Sequence, residues 1–309
     1  MTEPNPRSRM GVPPLIRLMR PHEWVKNFFV FAPLVFSGEL LNPSKVLATC
    51  AVWVVFCSAT SFVYVFNDLL DLETDRHHPV KRLRPLPASQ VTVRKAVLLA
   101  VGLLVVSQAA IVAQSPALWL VIDAYLVTGI LYSLYLKRKV IVDVMILAIG
   151  FVLRVLAGAV VIGVPPSEWL ILCTFLLATF LGFSKRRHEL VQLGEEARSH
   201  RWMLTLYSTE FLDQMNLVTI TLTLTCYIFY TISADTIARF GTRDLLYSVL
   251  LVMLGLFRYL FLVHKKGKGS PVEALYTDRQ IVLIILLWVL YMVWCIYDLP
   301  LLKGWWAFA

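Results

Sequence analysis

Asn67, Asp68, Asp71 and Asp75 stand together where a long apolar run ends. On a helix these spacings turn all four side chains to one face. Carboxylate and amide oxygens are the ligands Mg2+ prefers. A protein site for that ion supplies one or two carboxylates and leaves the remaining positions to water and substrate phosphate. Arg76, Lys81, Arg82 and Arg84 follow at once, and both guanidinium forks and ammonium groups match phosphate oxygens. Carboxylates for a metal with cations for phosphate describe a site for a diphosphate or another phosphorylated substrate. Asn67, Asp68 and Asp71 are the expected metal ligands. Asp68, Asp71, Asp75 and Lys81 are the expected catalytic groups, with Arg82 and Arg84 as substrate contacts. A lone pair of aspartates would read as a solvated helix end; four ligand-type groups backed by cations read otherwise. His77 and His78 lack the paired His or Cys that zinc requires and read as loop residues beside Pro79.

A second charged run, Ser184-Lys185-Arg186-Arg187-His188-Glu189, is basic where the first is acidic. Lys185 and Arg186 would grip a further phosphate group, unless they are anchoring charge. Lys26, Asn27, Tyr132, Lys137 and Asp143 fall at the same depth and are candidate substrate contacts; interfacial Tyr and Lys also serve as membrane anchors. Arg258 lies within two turns of its helix end and could reach the site. Arg154 and Asp123 lie deeper, where charge calls for a partner, and are expected to form a structural ion pair.

These residues need helices to position them. Of the 309 residues 58% are hydrophobic and 16% charged, against about half and a quarter in a soluble domain. A spanning helix takes roughly 20 apolar residues. Runs of that kind centre on 28–42, 46–66, 96–114, 117–135, 141–162, 168–184, 215–233, 245–264 and 281–299, which predicts an all-α, polytopic bundle of about nine helices. All Lys and Arg except Lys45, Arg154, Arg239, Arg243, Arg258 and Lys303 then fall on one side. By the positive-inside rule that side is cytoplasmic, as are the N-terminus and every long polar segment. The net charge of +9 therefore marks orientation in the cell membrane and not nucleic-acid binding. Residues 1–20 lack the apolar core of a secretory signal and are expected to be a cytoplasmic tail, with 21–309 as one catalytic domain. The long segments 67–95 and 185–214, four helices apart, suggest two similar halves. The five cysteines have no CxxC spacing and read as small buried hydrophobes.

With these residues in hand, the chain resembles the UbiA superfamily of intramembrane prenyltransferases. The first family motif, NDxxDxxxD followed by a basic RP segment, reads NDLLDLETDRHHPVKRLRP here. The resemblance extends from about Arg20 to residue 300 and implies a nine-helix bundle with a cytoplasmic active-site cap and Mg2+-dependent chemistry. Aromatic prenyltransferases of the superfamily carry a second Asp-rich motif after helix six; this chain has SKRRHEL there. That replacement is similar to the decaprenyl-phosphate phosphoribosyltransferase branch, as are RPHEWVKNFFVFAPLVFSG, YSLYLKRKVIVDV, GFVLRVLAGAV and GLFRYLFLVH.

The branch implies phosphoribosyl diphosphate as donor, a polyprenyl phosphate as acceptor, the lipid bilayer as medium and a homo-oligomer, a trimer among the options. One metal-binding wall and one basic wall suit a donor with a diphosphate and a separate 5-phosphate, although the basic wall could hold the lipid phosphate. The nearest rival is prenyl transfer to an aromatic acceptor. An anionic-solute transporter is a rival of another class, but such sites lie near the bilayer midplane and the polar groups here gather at one face.

Overall fold

The computed structural model describes residues 11–78, 80–109, 115–193, 202–265 and 271–297, and among them the only secondary structure is helical. Helix α1 (Pro14–Met19) leads into a 3-10 segment, Pro21–Phe31, and the short α2 (Ala32–Phe36). Then come α3 (Pro43–Leu70), α4 (Leu72–His77), α5 (Val93–Ala109), α6 (Pro116–Leu134), α7 (Val142–Val161) and α8 (Glu168–Leu193). The chain finishes with α9 (Thr209–Ile232), α10 (Ala234–Phe240), α11 (Ser248–Lys265), α12 (Pro271–Thr277) and α13 (Arg279–Tyr297).

Local chemistry fixes the starts. The Asn42 side chain accepts from the backbone of Ser44 and Lys45 ahead of α3, with Pro43 in the first turn. Ser115 and Pro116 do the same for α6, and Ser208 accepts from the Phe211 amide at α9. Such caps satisfy the orphan amides of a first turn, and proline there gives up no bond.

Seven helices among the described residues are long and apolar enough to cross a membrane: α3, α6, α7, α8, α9, the stretch 244–264 that includes α11, and α13. The expected count of nine is not reached for two local reasons. Helix α5 is described over 17 residues, and 110–114 lie outside the described part. The expected first span, 28–42, is no continuous α-helix. It is the end of the 3-10 segment followed by α2, with Pro33 in the first turn of α2 and Gly38 at φ +79° just beyond.

Among the described residues two large apolar clusters and two smaller ones hold the bundle. Of the large ones, the first gathers α1, the 3-10 segment, α3, α5, α6 and Ala157 of α7; the other gathers α8, α9, α11, α12 and α13. Of the expected tail 1–20, residues 1–10 lie outside the described part, while α1 buries Leu18 in the first core. The expected segment 185–214 starts as helix, because α8 continues to Leu193. Small residues let the spans meet closely, as in other membrane bundles. A Cβ at Gly129 of α6 would lie 2.7 Å from Val63 of α3, and one at Gly182 of α8 would lie 2.6 Å from Val144 of α7. Chain direction alternates, so the C-terminal ends of α3, α6, α8 and α11 share one end of the bundle with the N-terminal ends of α5, α7, α9 and α13.

Candidate active site

Helix α3 breaks at Asp71 and resumes as α4, so one nearly continuous helix carries Asn67, Asp68, Asp71 and Asp75. Asp71 stands at the N-cap of α4 but does not cap it. Its carboxylate instead takes Lys137 Nζ at 2.6 and 2.8 Å, and Asn67 Oδ1 accepts from the same ammonium at 3.2 Å. Asn67 also donates to Asp71, at 3.0 Å. Asp68 and Asp75 are both buried. Asp68 Oδ1 takes Arg20 at 2.5 Å and Arg84 at 3.2 Å, and Arg84 reaches on to Asp75 Oδ2 at 2.7 Å. Asp75 Oδ1 accepts no hydrogen bond although it is buried; Lys81 Nζ stands 3.4 Å from it.

Four cations thus surround three carboxylates, and the cluster carries an excess of positive charge suited to an anion. Burial pulls the Arg84 guanidinium below its usual range, and Arg20 adds to this against the pull of Asp68 and Asp75. Arg20 adopts φ 54°, a left-handed conformation uncommon outside glycine, where it ends α1. Nothing in the acid motif itself signals Arg20; the residue comes to Asp68 through the packing of α1 on α3.

Among the described residues no three His, Cys, Asp or Glu side chains gather as a ready cage for a metal. The donor set nevertheless fits Mg2+, which needs few protein ligands when phosphate completes its shell. The amide oxygen of Asn67, the carboxylates of Asp68 and Asp71 and the buried, unbonded oxygen of Asp75 are hard ligands.

The basic wall differs from the sequence expectation. Arg186 is buried, held by Asp143 at 2.6 Å, by Glu189 at 2.5 Å and by the Tyr132 hydroxyl at 3.4 Å. Asp143 is fully buried, and its second oxygen accepts from Tyr207 at 3.1 Å. Burial pushes the Tyr207 hydroxyl up to about 12, so it stays a neutral donor. Tyr207 also accepts from the amide of Ile141, a β-branched residue at φ 69°. Asp143, Tyr132 and Arg186, three of the expected substrate contacts, bond with one another here, as each charge in a dry site needs a partner. Sequence spacing could not see Tyr207.

Lys185, one residue away, is 42% exposed, and its ion contact to Glu189 is 4.0 Å. Lys26 pairs with Glu23. Burial alone would raise the Glu23 carboxyl, but Lys26 and then Lys185 outweigh it and bring it down to about 2. Glu23 is therefore ionised between two lysines from different elements. The end of α6 joins the walls, since Tyr132 reaches Arg186 while Lys137, just beyond, holds Asp71.

Four further expectations meet a different arrangement. Asn27 is fully buried, and its amide oxygen accepts from Arg154 at 2.7 Å and from Thr60 at 3.2 Å. The expected Asp123–Arg154 pair does not form; Asp123 accepts from Gln108 at 2.7 Å. Arg258 pairs with Asp278 at 2.8 Å, the residue that caps α13. Arg82 is exposed and makes none of the acid-cluster contacts. His77 and His78 bond locally, to the Glu73 carbonyl and to the Val80 and Lys81 amides.

Residues 27–290 match the UbiA prenyltransferase family. The decaprenyl-phosphate phosphoribosyltransferase of Mycolicibacterium smegmatis is 33% identical over 287 residues, covering 89% of this chain and 90% of the relative. The protein of the same name from Mycobacterium tuberculosis is 30% identical, with 94% and 95% covered. A UbiA homolog from Archaeoglobus fulgidus bound to GPP and Mg2+ superposes with a TM-score of 0.68 at 19% identity, over 93% of this chain and all of that one.

Proposed function

The chain belongs to the UbiA prenyltransferase family, and on that premise we propose that it transfers 5-phosphoribose from phosphoribosyl diphosphate to a polyprenyl phosphate of the decaprenyl type. The carrying observation lies in the segment where the aromatic enzymes keep a second acidic motif. Its acid, Glu189, is committed to Arg186 at 2.5 Å, and Lys185 stands beside it. Glu195 and Glu196 lie outside the described residues. One acidic wall and one lysine-bearing wall support a donor with a diphosphate and a second, separate phosphate. The names of the relatives support the same chemistry.

In this reading Asn67, Asp68 and Asp71 would hold Mg2+, which would supply charge neutralisation for the departing diphosphate. Arg20, Lys81, Arg84 and Lys137 exchange their carboxylate partners for diphosphate oxygens. Asp75 orients a ribose hydroxyl or a water. A lipid phosphate oxygen attacks C1 of the ribose as the C1–O bond to diphosphate breaks, and the bond electrons leave with the diphosphate. The reacting carbon passes through an oxocarbenium-like state and inverts, by analogy with glycoside chemistry. A phosphate monoester is ionised at neutral pH, so no general base is needed. Lys26 and Lys185 hold the 5-phosphate or the acceptor phosphate. The site faces the cytoplasm, where a soluble sugar diphosphate is available.

The test is purified protein with labelled phosphoribosyl diphosphate, Mg2+ and decaprenyl phosphate. Label entering the organic phase supports the reading. Failure there, with turnover of a prenyl diphosphate and 4-hydroxybenzoate in a parallel reaction, would replace it by aromatic prenylation.

A further inference from the structure

Arg154 is the one buried cation of the described bundle whose charge has no assigned use. It lies near the middle of α7, 5% exposed, and among the described residues no carboxylate pairs with it. Its guanidinium is held by neutral acceptors. Nε donates to Asn27 Oδ1 at 2.7 Å, Nη1 to the Gly150 carbonyl at 2.7 Å, and Nη2 to the Tyr125 hydroxyl at 2.9 Å and to Thr60 at 3.4 Å. The rings of Tyr125, Phe151 and Phe56 stand 4.7, 5.3 and 5.8 Å from its central carbon, within reach of cation–π attraction. A charge retained in an apolar bundle without a counter-ion is expensive, so its hydrogen bonds must do something a neutral side chain would not.

Those bonds join α3 and α6 to the 3-10 segment Pro21–Phe31, and the segment's link is Asn27. Asn27 follows Lys26 directly and lies one turn beyond Glu23. Arg20, the residue just before the segment and its N-cap, grips Asp68. One turn along α7 from Arg154, Gly158 meets the same segment: a Cβ there would lie 2.0 Å from the Val30 carbonyl oxygen. Helix α7 therefore clamps the segment at two points, one polar and one steric. A 3-10 segment has poorer hydrogen-bond geometry than an α-helix, and tertiary contacts must hold its register.

We infer that Arg154 is a positioning residue which, through Asn27, sets the register of the segment that delivers Arg20 and Lys26 to the active site. It does not touch substrate. The inference rests on the proposed phosphoribosyl transfer only for which substrate is affected.

The test uses full-length protein in nanodiscs and two readouts. The first is backbone hydrogen exchange without substrate. Arg154→Met and Asn27→Leu should each speed exchange of amides 22–31 at least tenfold and leave those of α8 and α9 unchanged. Asn27→Asp, which keeps the acceptor oxygen, should retain the protection. Uniform change across the bundle, or none in 22–31, would overturn the inference. If Arg154→Met fails to fold, the contrast between Asn27→Leu and Asn27→Asp decides alone. The second readout is kinetic. Each of the Met and Leu variants should raise KM for a phosphorylated substrate at least fivefold with kcat within twofold, and the double variant should lose no more than the worse single one. Additive losses would show that Arg154 does not act through Asn27. The exchange result stands even if the wild type transfers no phosphoribose, so it separates this inference from the reaction assigned to the site.

Discussion

Asp68 accepts two guanidinium groups on one oxygen while Asp71 is gripped at both oxygens by Lys137, so the acid cluster is held closed by cations that the proposed reaction would share with substrate. Replacing Asp71 with Asn keeps the shape but removes a ligand charge. Turnover should fall by more than about 100-fold, the scale of losing a charge-stabilising group in an active site, and activity assays with matched protein amounts check it. Chelation with EDTA should abolish turnover and added Mg2+ should restore it; full activity in chelator would remove the metal from the reaction. Glu23 makes a pH prediction. Its carboxyl is depressed from 4.5 to about 2, so its contribution to stability is complete above pH 4.5 and lost as pH falls through about 2. Glu23→Gln should therefore lower Tm at pH 7, and the gap to wild type should narrow between pH 4.5 and 2 in acid-titrated unfolding.

At the scale of elements, α7 is the centre. It meets the 3-10 segment, α3, α6 and α8, and it carries Asp143 in its first turn and Arg154 in its middle. Gly182 on α8 lies one turn before Arg186 and lets α8 close on Val144, the neighbour of Asp143; the close approach and the Asp143–Arg186 pair are one feature. Gly158→Ala should destabilise by about 1–3 kcal/mol, as overpacking does, because the atom it meets is a backbone oxygen that no rotamer change can move. Thermal unfolding in detergent measures this. The helical spacing of Asn67, Asp68, Asp71 and Asp75 was readable because helical backbone bonds run through the motif across the break, from Asp71 to Asn67 and from Asp75 to Asp71. The broken first span was not, because its apolar content masks a 3-10 geometry set by packing on α7.

For the whole molecule, the charge asymmetry predicts the orientation, and the alternating helices gather the acids and cations at one end of the bundle. In a cysteine-free background, Lys139→Cys should react with an impermeant thiol reagent only from the cytoplasmic side and Arg243→Cys only from the other. The reverse pattern would turn the site outward and leave it without a cytosolic sugar diphosphate. A smaller apolar cluster of Val144, Phe183, Tyr207 and Leu212 joins α7, α8 and α9, and Tyr297 ties the last helix to the first turns, accepting from the Leu40 amide and donating to the Leu34 and Val35 carbonyls.

The sequence alone determined a polytopic helical protein with acids and cations at one end, because hydropathy, charge asymmetry and i, i+4 spacing are local properties. Tertiary structure alone decided which cation meets which acid. Arg20 and Lys137 come to the acid motif across 48 and 66 residues of chain, Arg186 is turned inward by Asp143, and Arg154 chooses Asn27 over Asp123. A buried charge takes whatever partner packing brings within about 3 Å, and no spacing along the chain encodes that distance.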